Sequence, residues 1–370
     1  MTVPAIDAVE IPEDAQPDIP TSAADLLECI RLEEAHHLAV WGNTDRCSPF
    51  REALYYWKGN SYQERLLFLA RLDGVPVGSC SVVLPLQENL DTAWIDVLVA
   101  AGHRRRGIGR SLLEKAERTA TDRGRKVFQG YCEEPIRRAL ATADILPARS
   151  GTGGMPLALP SIKFAIDAGY SLEQVETSSR LTLPVPEGLL GRLEARAVEH
   201  SAGYSLLGWE DACPEKYLDS YAVLRSRMSI DAPRAGLELG PESWNAARIR
   251  EEEETWRKSG VESVISAALH NDTGELAAFT VLSYRQARPN AMIQEDTLVA
   301  PQHRGHRLGM LVKIANIRRA QAVWLAARSV ITWNASENRH MLAINTSLGF
   351  RPSGFEGEWQ KRLDDPLYDK

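Results

Sequence analysis

The stretch "VLVAAGHRRRGIGRSLLEKA", Val97–Ala116, starts as an apolar strand, turns through a basic, glycine-bearing loop and runs on as a helix. Its loop, His103–Gly109, reads HRRRGIG. Two hundred residues later His303–Gly309 reads HRGHRLG, after an apolar run of its own, "EDTLVAP". A repeat at that distance is too long for a solenoid and fits a duplicated domain. The length of 370 residues agrees, since it allows two domains that each bury a core.

Outward from the first loop, Thr21–Leu38 reads as a helix with Thr21 or Ser22 as N-cap. "LLFLARLDGVPVGSCSVVLP" reads as two strands joined at Asp73–Gly74, a hairpin signal. The strand Thr92–Val99, the loop, a helix over Arg110–Arg123, the strand "KVFQGY" and a short helix ending at Gly169 follow. "SSRLTLPVPEG" reads as a closing strand and linker, which divides the chain into 1–187 and 188–370, with residues 1–20 a flexible or partly ordered tail. The second half repeats the order. It has helices over Pro214–Ser226 and Pro241–Lys258, a hairpin turning at Asn271–Gly274, the strand Ala291–Val299 and a helix over Met310–Ala326. "SVITWNAS", "ENRHMLAINTSLGF" and "EGEWQKRL" then supply a strand, a helix and a last strand. The fold class expected is α+β (mixed α/β): two tandem domains, each a central mixed, largely antiparallel sheet flanked by helices.

A net charge of -7 argues against a broad nucleic-acid footprint, and no apolar run is long enough to span a bilayer. Residues 1–20 lack a basic n-region and an apolar h-region, so they do not read as a signal peptide. The five cysteines show no C-x-x-C or His/Cys cluster, which supports neither a disulfide framework nor a metal site and fits a cytoplasmic setting. Cys80 reads as a small buried strand residue. The run "REEEETWRK" reads as a solvated helix face with i,i+4 pairs, not as a metal site.

The loop carries the chemistry. Amides at a helix start lack intrahelical partners and lie at the positive end of the dipole, so phosphate binds there. Gly107 and Gly109 let backbone approach a pyrophosphate, and Arg104, Arg105, Arg106 and Arg110 add charged donors. The other reading is a turn with solvated arginines, and the recurrence of the loop weighs against it. These residues resemble the acetyl-CoA-binding strand–loop–helix of the GNAT superfamily of N-acetyltransferases, whose signature Arg/Gln-x-x-Gly-x-Gly/Ala is filled by Arg104, Gly107 and Gly109. "NRHMLAINTSLGF" resembles a later segment of the same superfamily through Asn338, Gly349 and Phe350. The resemblance covers nearly the whole chain and implies a tandem, two-domain GNAT protein.

By that resemblance, acetyl-CoA or another acyl-CoA is the cosubstrate, without a metal. Its amides would pair with the strand end at Leu98–Val99 or Leu298–Val299, and an amine would attack the thioester directly. The second loop departs from the signature. Arg304 and Gly309 hold their places, Arg307 stands where the first glycine belongs, and Gly305 lies two residues earlier, which implies a loop of altered shape that still cradles phosphate with His306. The usual tyrosine acid is Asn345 in the second half and Ala165 in the first. Asn334 and Asn338 read either as cofactor contacts or as turn and N-cap residues.

Candidate bases are Asp96, Asp296 and Glu295, each otherwise a solvated strand acid. Strand alternation would put Glu295 and Asp296 on opposite faces. Trp41, Tyr55, Tyr56 and Trp57 read as core or as acceptor-pocket walls. Asn338, "LGF" and two carboxylates favour the second half as the reacting one, while Arg307 and Asn345 oppose it. The expected function is N-acetyl transfer to a small-molecule primary amine, with no nucleic-acid or membrane partner. The chain is read as a monomer, a pseudo-dimer of its two domains, or as a homodimer. The alternatives are a protein or peptide N-acetyltransferase and a non-catalytic acyl-CoA-binding sensor or structural protein.

Overall fold

The computed structural model describes residues 4–139 and 144–363. Two compact units share the chain. One comprises 1–176, 234–239 and 354–370, and the other 177–233 and 240–353. The single cut expected after residue 187 is replaced by an exchange of segments. The N-terminal unit takes a strand from the far end of the chain.

The N-terminal unit begins with β1 (Ala5–Ala8), α1 (Ala24–Trp41), α2 (Phe50–Tyr56), β2 (Gln63–Leu72), β3 (Val75–Pro85) and β4 (Thr92–Val99). It continues with α3 (Ile108–Thr121), β5 (Val127–Pro135), α4 (Ile136–Ala139), β6 (Ile145–Pro147), β7 (Gly154–Pro156), α5 (Pro160–Asp167) and the first half of β8 (Ser171–Thr182). The C-terminal unit holds the rest of β8, then α6 (Glu187–Val198), β9 (Tyr204–Glu210), α7 (Leu218–Asp231) and α8 (Ala246–Ser259). After these come β10 (Val261–His270), β11 (Leu276–Arg285), β12 (Ala291–Val299), α9 (Leu308–Val323), β13 (Ser329–Ala335) and α10 (Arg339–Leu348). The last strand, β14 (Arg351–Arg362), belongs to the N-terminal unit from Gly354 onward.

In the N-terminal unit the strands lie in the order β1-β2-β3-β4-β5-β14. The acidic N-terminal stretch, read as a tail, supplies β1, which pairs antiparallel with β2 from Ala5 against Arg71 to Ala8 against Phe68. The β2–β3 hairpin turns where expected, with Asp73 and Gly74 both at positive φ (50° and 80°), the backbone a two-residue primed turn requires. β14 runs antiparallel to β5, with Glu356 opposite Glu133 and Glu358 opposite Tyr131. In the C-terminal unit the order is β8-β13-β12-β11-β10-β9.

Each sheet buries both faces. In the N-terminal unit Phe68, Val82, Ile95 and Phe128 pack with Ile108, Leu112 and Ala116 of α3, and Leu67 and Leu69 pack with Leu26, Ile30 and Leu54 on the other side. In the C-terminal unit Leu282 and Met292 meet Ile314 and Ile317 of α9 on one face. Phe279, Val281 and Leu298 meet Tyr221 and Leu224 of α7 on the other. No helix among the described residues is long and apolar enough to cross a membrane. The five cysteines are free. Cys80 is buried in β3 and burial pushes its thiol up to about 12, the behaviour of a packing residue.

Of the charged side chains buried among the described residues, one lies deeper than the rest. Lys313 of α9 is 1% exposed, and its Nζ donates to Gln294 Oε1 at 3.0 Å. Burial against this neutral partner lowers it from 10.5 to about 7. Between those values the unfolded chain holds a proton that the folded chain has released, so stability rises with pH across that window. The slope approaches about 1.4 kcal/mol per pH unit. Urea unfolding at pH 7, 8 and 9 should show this rise in the wild type and not in Lys313→Met; parallel curves would refute a buried neutral lysine.

Candidate functional site

In both units a strand and its parallel neighbour pair for three residues and then part. Thr92, Ala93 and Trp94 face Val127, Phe128 and Gln129, while Ala291, Met292 and Ile293 face Ser329, Val330 and Ile331. Beyond those pairs the two strands open a fork whose facing backbone groups have no ladder partner, a slot for an extended chain that carries amides. Leu98–Val99 and Leu298–Val299 form one prong's end in each unit.

The loop after each fork has the same backbone. Positive φ falls at Arg105 (62°) and Gly107 (84°) in one, and at Gly305 (90°) and Arg307 (54°) in the other. Each loop has one glycine and one arginine at these two left-handed positions, in exchanged order. The altered loop shape expected from Arg307 is therefore absent: the arginine adopts the glycine's conformation, and Gly305 takes the other left-handed turn. Gly107 and Arg307 are the N-caps of α3 and α9, and neither helix start has a side-chain cap. Both N-termini present bare amides at the positive end of a helix dipole, the setting that holds a phosphate. A Cβ on Gly109 would lie 3.5 Å from Val99 Cγ2, and one on Gly309 the same distance from Val299 Cγ2, so each helix start sits close against its strand end.

The other loop residues divide in role. Arg104 Nε donates to the Val99 carbonyl at 3.0 Å and Arg304 Nε to the Val299 carbonyl at 3.3 Å, so both signature arginines brace the strand end. Arg105, Arg106 and Arg110 are exposed around the first helix start. His306 is exposed, with Nδ1 3.1 Å from the His200 carbonyl oxygen. Asn338 caps α10 by accepting from the Met341 amide, and Asn334 accepts from Asn345 Nδ2 at 2.7 Å. Their oxygens are taken up by these internal bonds, which fits the turn and N-cap reading.

The carboxylates differ between the units. Opposite Val281 alone, β12 carries two residues, Glu295 and Asp296, a β-bulge. The bulge overturns the alternation expected for them, because both turn to the face covered by α7. Ser283 Oγ donates to Glu295 Oε1 at 2.5 Å, and Arg225 Nε of α7 lies 3.5 Å from Asp296 Oδ2. Arg225 is gripped by both oxygens of Glu252, at 2.7 and 3.0 Å, and lies 3.9 Å over the Trp244 ring. Glu252 belongs to the acidic run read as a solvated face, yet it points inward, and Glu253 beside it accepts from the Cys213 amide. The carboxylates of the C-terminal unit thus already face a cation of their own.

β4 has no bulge: Asp96 sits opposite Ser81 in regular register, on the face away from α3. Water reaches Asp96, but the carboxyl group lies deep among protein atoms, and this desolvation raises it above the usual range against a hydrogen bond from the Val97 amide. No cation stands against it among the described residues. Alternation and cross-strand pairing put Trp94, Tyr131, Glu133, Glu356 and Glu358 on the same face. Tyr131 is open to solvent on one side, yet the protein atoms gathered around its phenol, with the charges of Asp96, Glu356, Glu133 and Glu33, hold it well above its ordinary range, so it stays protonated. Arg46 stacks on Trp41 at 3.6 Å and reaches Glu133 at 3.5 Å.

Among the described residues two groups are close enough to share a cation: Glu33, His37 and Cys47, and Glu176, Glu356 and Glu358. The first corrects the reading that no His/Cys cluster exists, because the chain brings together residues that the sequence keeps apart. Sequence reasoning missed Tyr131, Glu133, Glu356 and Glu358. The available signal was acids and a tyrosine at alternate positions of "GYCEEP" and "GFEGEWQ".

Comparisons with known proteins were made against this geometry. Residues 32–141 match the acetyltransferase (GNAT) family model. A tandem GNAT protein from the clavulanic acid biosynthesis pathway is 23% identical; the match covers 98% of this chain and 99% of that one, with a TM-score of 0.72. A GCN5-related N-acetyltransferase from Sphaerobacter thermophilus is 18% identical over 98% of this chain and 97% of its own, with a TM-score of 0.61. At these identities the likeness is one of fold. No curated protein matches the chain.

Arg225 provides a direct test of the closed C-terminal face. Arg225→Met should cost about 1–3 kcal/mol, because it leaves the half-buried Glu252 and Asp296 without their cation. Adding Asp296→Asn and Glu252→Gln should recover most of that loss in thermal or urea unfolding; a mild single-variant effect would show that the arginine is not their counter-charge.

Proposed function

From the premise that residues 32–141 are a GNAT acetyltransferase domain, within a chain of tandem GNAT fold throughout, we propose that the protein is an acyl-CoA-dependent N-acetyltransferase acting on a small-molecule primary amine. The reacting half is the N-terminal unit. One observation carries this choice: Asp96 stands beside the open β4–β5 fork with no cation against it, whereas Asp296 is held by Arg225.

In this reading the bare amides of Gly107, Ile108 and Gly109, with Arg105, Arg106 and Arg110 around them, hold the pyrophosphate of acetyl-CoA. The pantetheine arm lies in the fork along Leu98–Val99, which brings the thioester toward Asp96. Asp96 takes a proton from the acceptor ammonium, and its raised affinity for protons makes it a better base near neutrality than an ordinary aspartate. The amine nitrogen bonds to the thioester carbon, the C–S bond breaks, and the departing thiolate takes up, through water, the second proton that the nitrogen gives up as it becomes an amide. The second loop has the same backbone and an uncapped helix start, which supports acyl-CoA binding there without turnover.

Titration calorimetry with acetyl-CoA tests the cradle. Gly107→Glu forces a side chain onto a residue at φ 84° and sets a negative charge at the phosphate position, so the site that supports turnover should be lost. Gly309→Glu shows whether the second loop holds another. A titration unaffected by Gly107→Glu would sink the N-terminal assignment. For the chemistry, Asp96→Asn should lower kcat for thiol release about 10²–10⁴-fold, with acetyl-CoA binding retained; an unchanged kcat would remove Asp96 from the mechanism.

A further inference from the structure

The N-terminal unit gathers several carboxyl groups on one face, two of which, Glu356 and Glu358, meet no cation among the described residues. Glu176, Glu356 and Glu358 bring carboxylate oxygens within 4.8 Å of one another. Glu358 is 6% exposed, and its Oε2 is buried with no hydrogen-bond partner. Glu133 is the cross-strand partner of Glu356 and is met by Arg46. Neither Glu356 nor Glu358 has a cation among the groups that act on it; the two share a side-chain hydrogen bond, and burial with the neighbouring acids raises both carboxyls, so the pair holds protons it would give up to a bound cation. A buried carboxyl oxygen without a partner costs free energy, which a ligand that meets it returns.

The C-terminal unit provides the internal comparison. There the carboxylates on the corresponding face are met by a buried arginine from the unit's own helix. In the N-terminal unit that place is left to something that arrives from solution. Glu176 and Glu356 are only half-buried, so the group is open to solvent on one side. The same face carries the Trp94 and Tyr131 rings, 6.3 Å apart, and Tyr131 is 45% exposed. Aromatic walls beside carboxylates favour an organic ammonium over a hydrated metal ion.

We propose that the acceptor is a diamine or longer polyamine, whose reacting amine seats at Asp96 while a distal ammonium seats against Glu356 and Glu358. The distal site deepens the acyl-transfer reading above and rests on it for the identity of the reacting end. C-terminal strand β14 thereby becomes the specificity element of the N-terminal unit.

The test uses the full chain and two independent readouts. Thiol release from acetyl-CoA is followed with 1,4-diaminobutane and spermidine against n-butylamine, which has the same chain and one charge. The diamine should exceed the monoamine in kcat/KM by tenfold or more, and Glu358→Gln and Glu356→Gln should each cut that ratio at least tenfold. Glu254→Gln, on a surface pair of α8, should leave the ratio unchanged. Calorimetry of 1,4-diaminobutane in the presence of CoA reads the site without turnover, and binding should be lost in Glu358→Gln. A melting midpoint at or above that of the wild type shows that this variant is folded. Diamine binding without thiol release would overturn the acyl-transfer reading and keep the distal site. Thiol release with equal use of both amines would do the reverse. Binding of Mg²⁺ or Mn²⁺ that Glu358→Gln abolishes, with no diamine binding, would overturn the proposal in favour of a metal.

Discussion

A parallel strand pair that stops pairing after three residues organises each half of the molecule. Where β4 leaves β5, and β12 leaves β13, the facing backbone groups lose their ladder partners without leaving the sheet. That arrangement persists only if something fixes the prongs from outside the pair. β3 holds β4 through Val99 and β11 holds β12 through Val299, while the signature arginines tie down the same residues' carbonyls. The helix starts packed against those valines then aim their bare amides toward the mouth of the fork. In the proposed reading phosphate binding and thioester placement become two ends of one rigid construction, and glycine at 107 and arginine at 307 both fit it because each adopts the left-handed backbone.

On such a construction the two units satisfy one electrostatic constraint in two ways. Carboxylates next to the fork are partly buried, and buried charge must be neutralised, paired or left for a ligand. In the C-terminal unit a bulge turns Glu295 and Asp296 to the same side, where Ser283 donates to Glu295 and Arg225 of α7 meets Asp296. In the proposed reading the guanidinium stands where an acceptor ammonium would meet Asp296. In the N-terminal unit the strand is regular, Asp96 meets no such arginine, and the nearby acids crowd one another. The half with the more altered loop has the self-satisfied face, and the half with the intact signature has the unsatisfied one.

The repeat, the hairpins and the strands Thr92–Val99 and Ala291–Val299 with the loops after them were legible, because each rests on local signals: alternation, turn residues and a glycine-bearing loop; the starts of α1, α7 and α8 fall three to five residues later than read. The face of Glu295 was not, because one extra residue in a strand reverses the direction of those on either side of it, and no local pattern marks where a bulge falls. Arg225 was hidden for a different reason. It lies on a helix some seventy residues before Asp296, and nothing in "LRSRMS" distinguishes a buried arginine from a solvated one. The conformation of Arg307 was misjudged by reasoning from residue type, since glycine is favoured at positive φ but not required there. The acids on β14 were readable as acids at alternate positions of a strand, yet their place in the N-terminal unit depends on an exchange of segments that sequence order conceals.

That exchange ties specificity to the whole chain. Glu356 and Glu358 reach the face of Asp96 and Tyr131 only because Gly354–Arg362 pairs with β5. Trp41, at the end of α1, presses on Gly354, where a Cβ would come within 2.4 Å of the indole ring, so this register admits no side chain at that position. Further along, Lys361 Nζ donates to both oxygens of Glu117 at 2.9 Å, which fixes β14 to α3, the helix whose start forms the phosphate cradle. Arg362 pairs with Glu238 at 2.7 Å, in the short segment 234–239 that the N-terminal unit also takes from the middle of the chain. The acids that would choose the acceptor and the amides that would hold the acyl donor are therefore set by one strand and one helix, clamped together by an ion pair. Whatever loosens β14 disturbs the distal carboxylates first and the cradle second, because the strand carries the carboxylates directly and reaches the cradle only through Glu117.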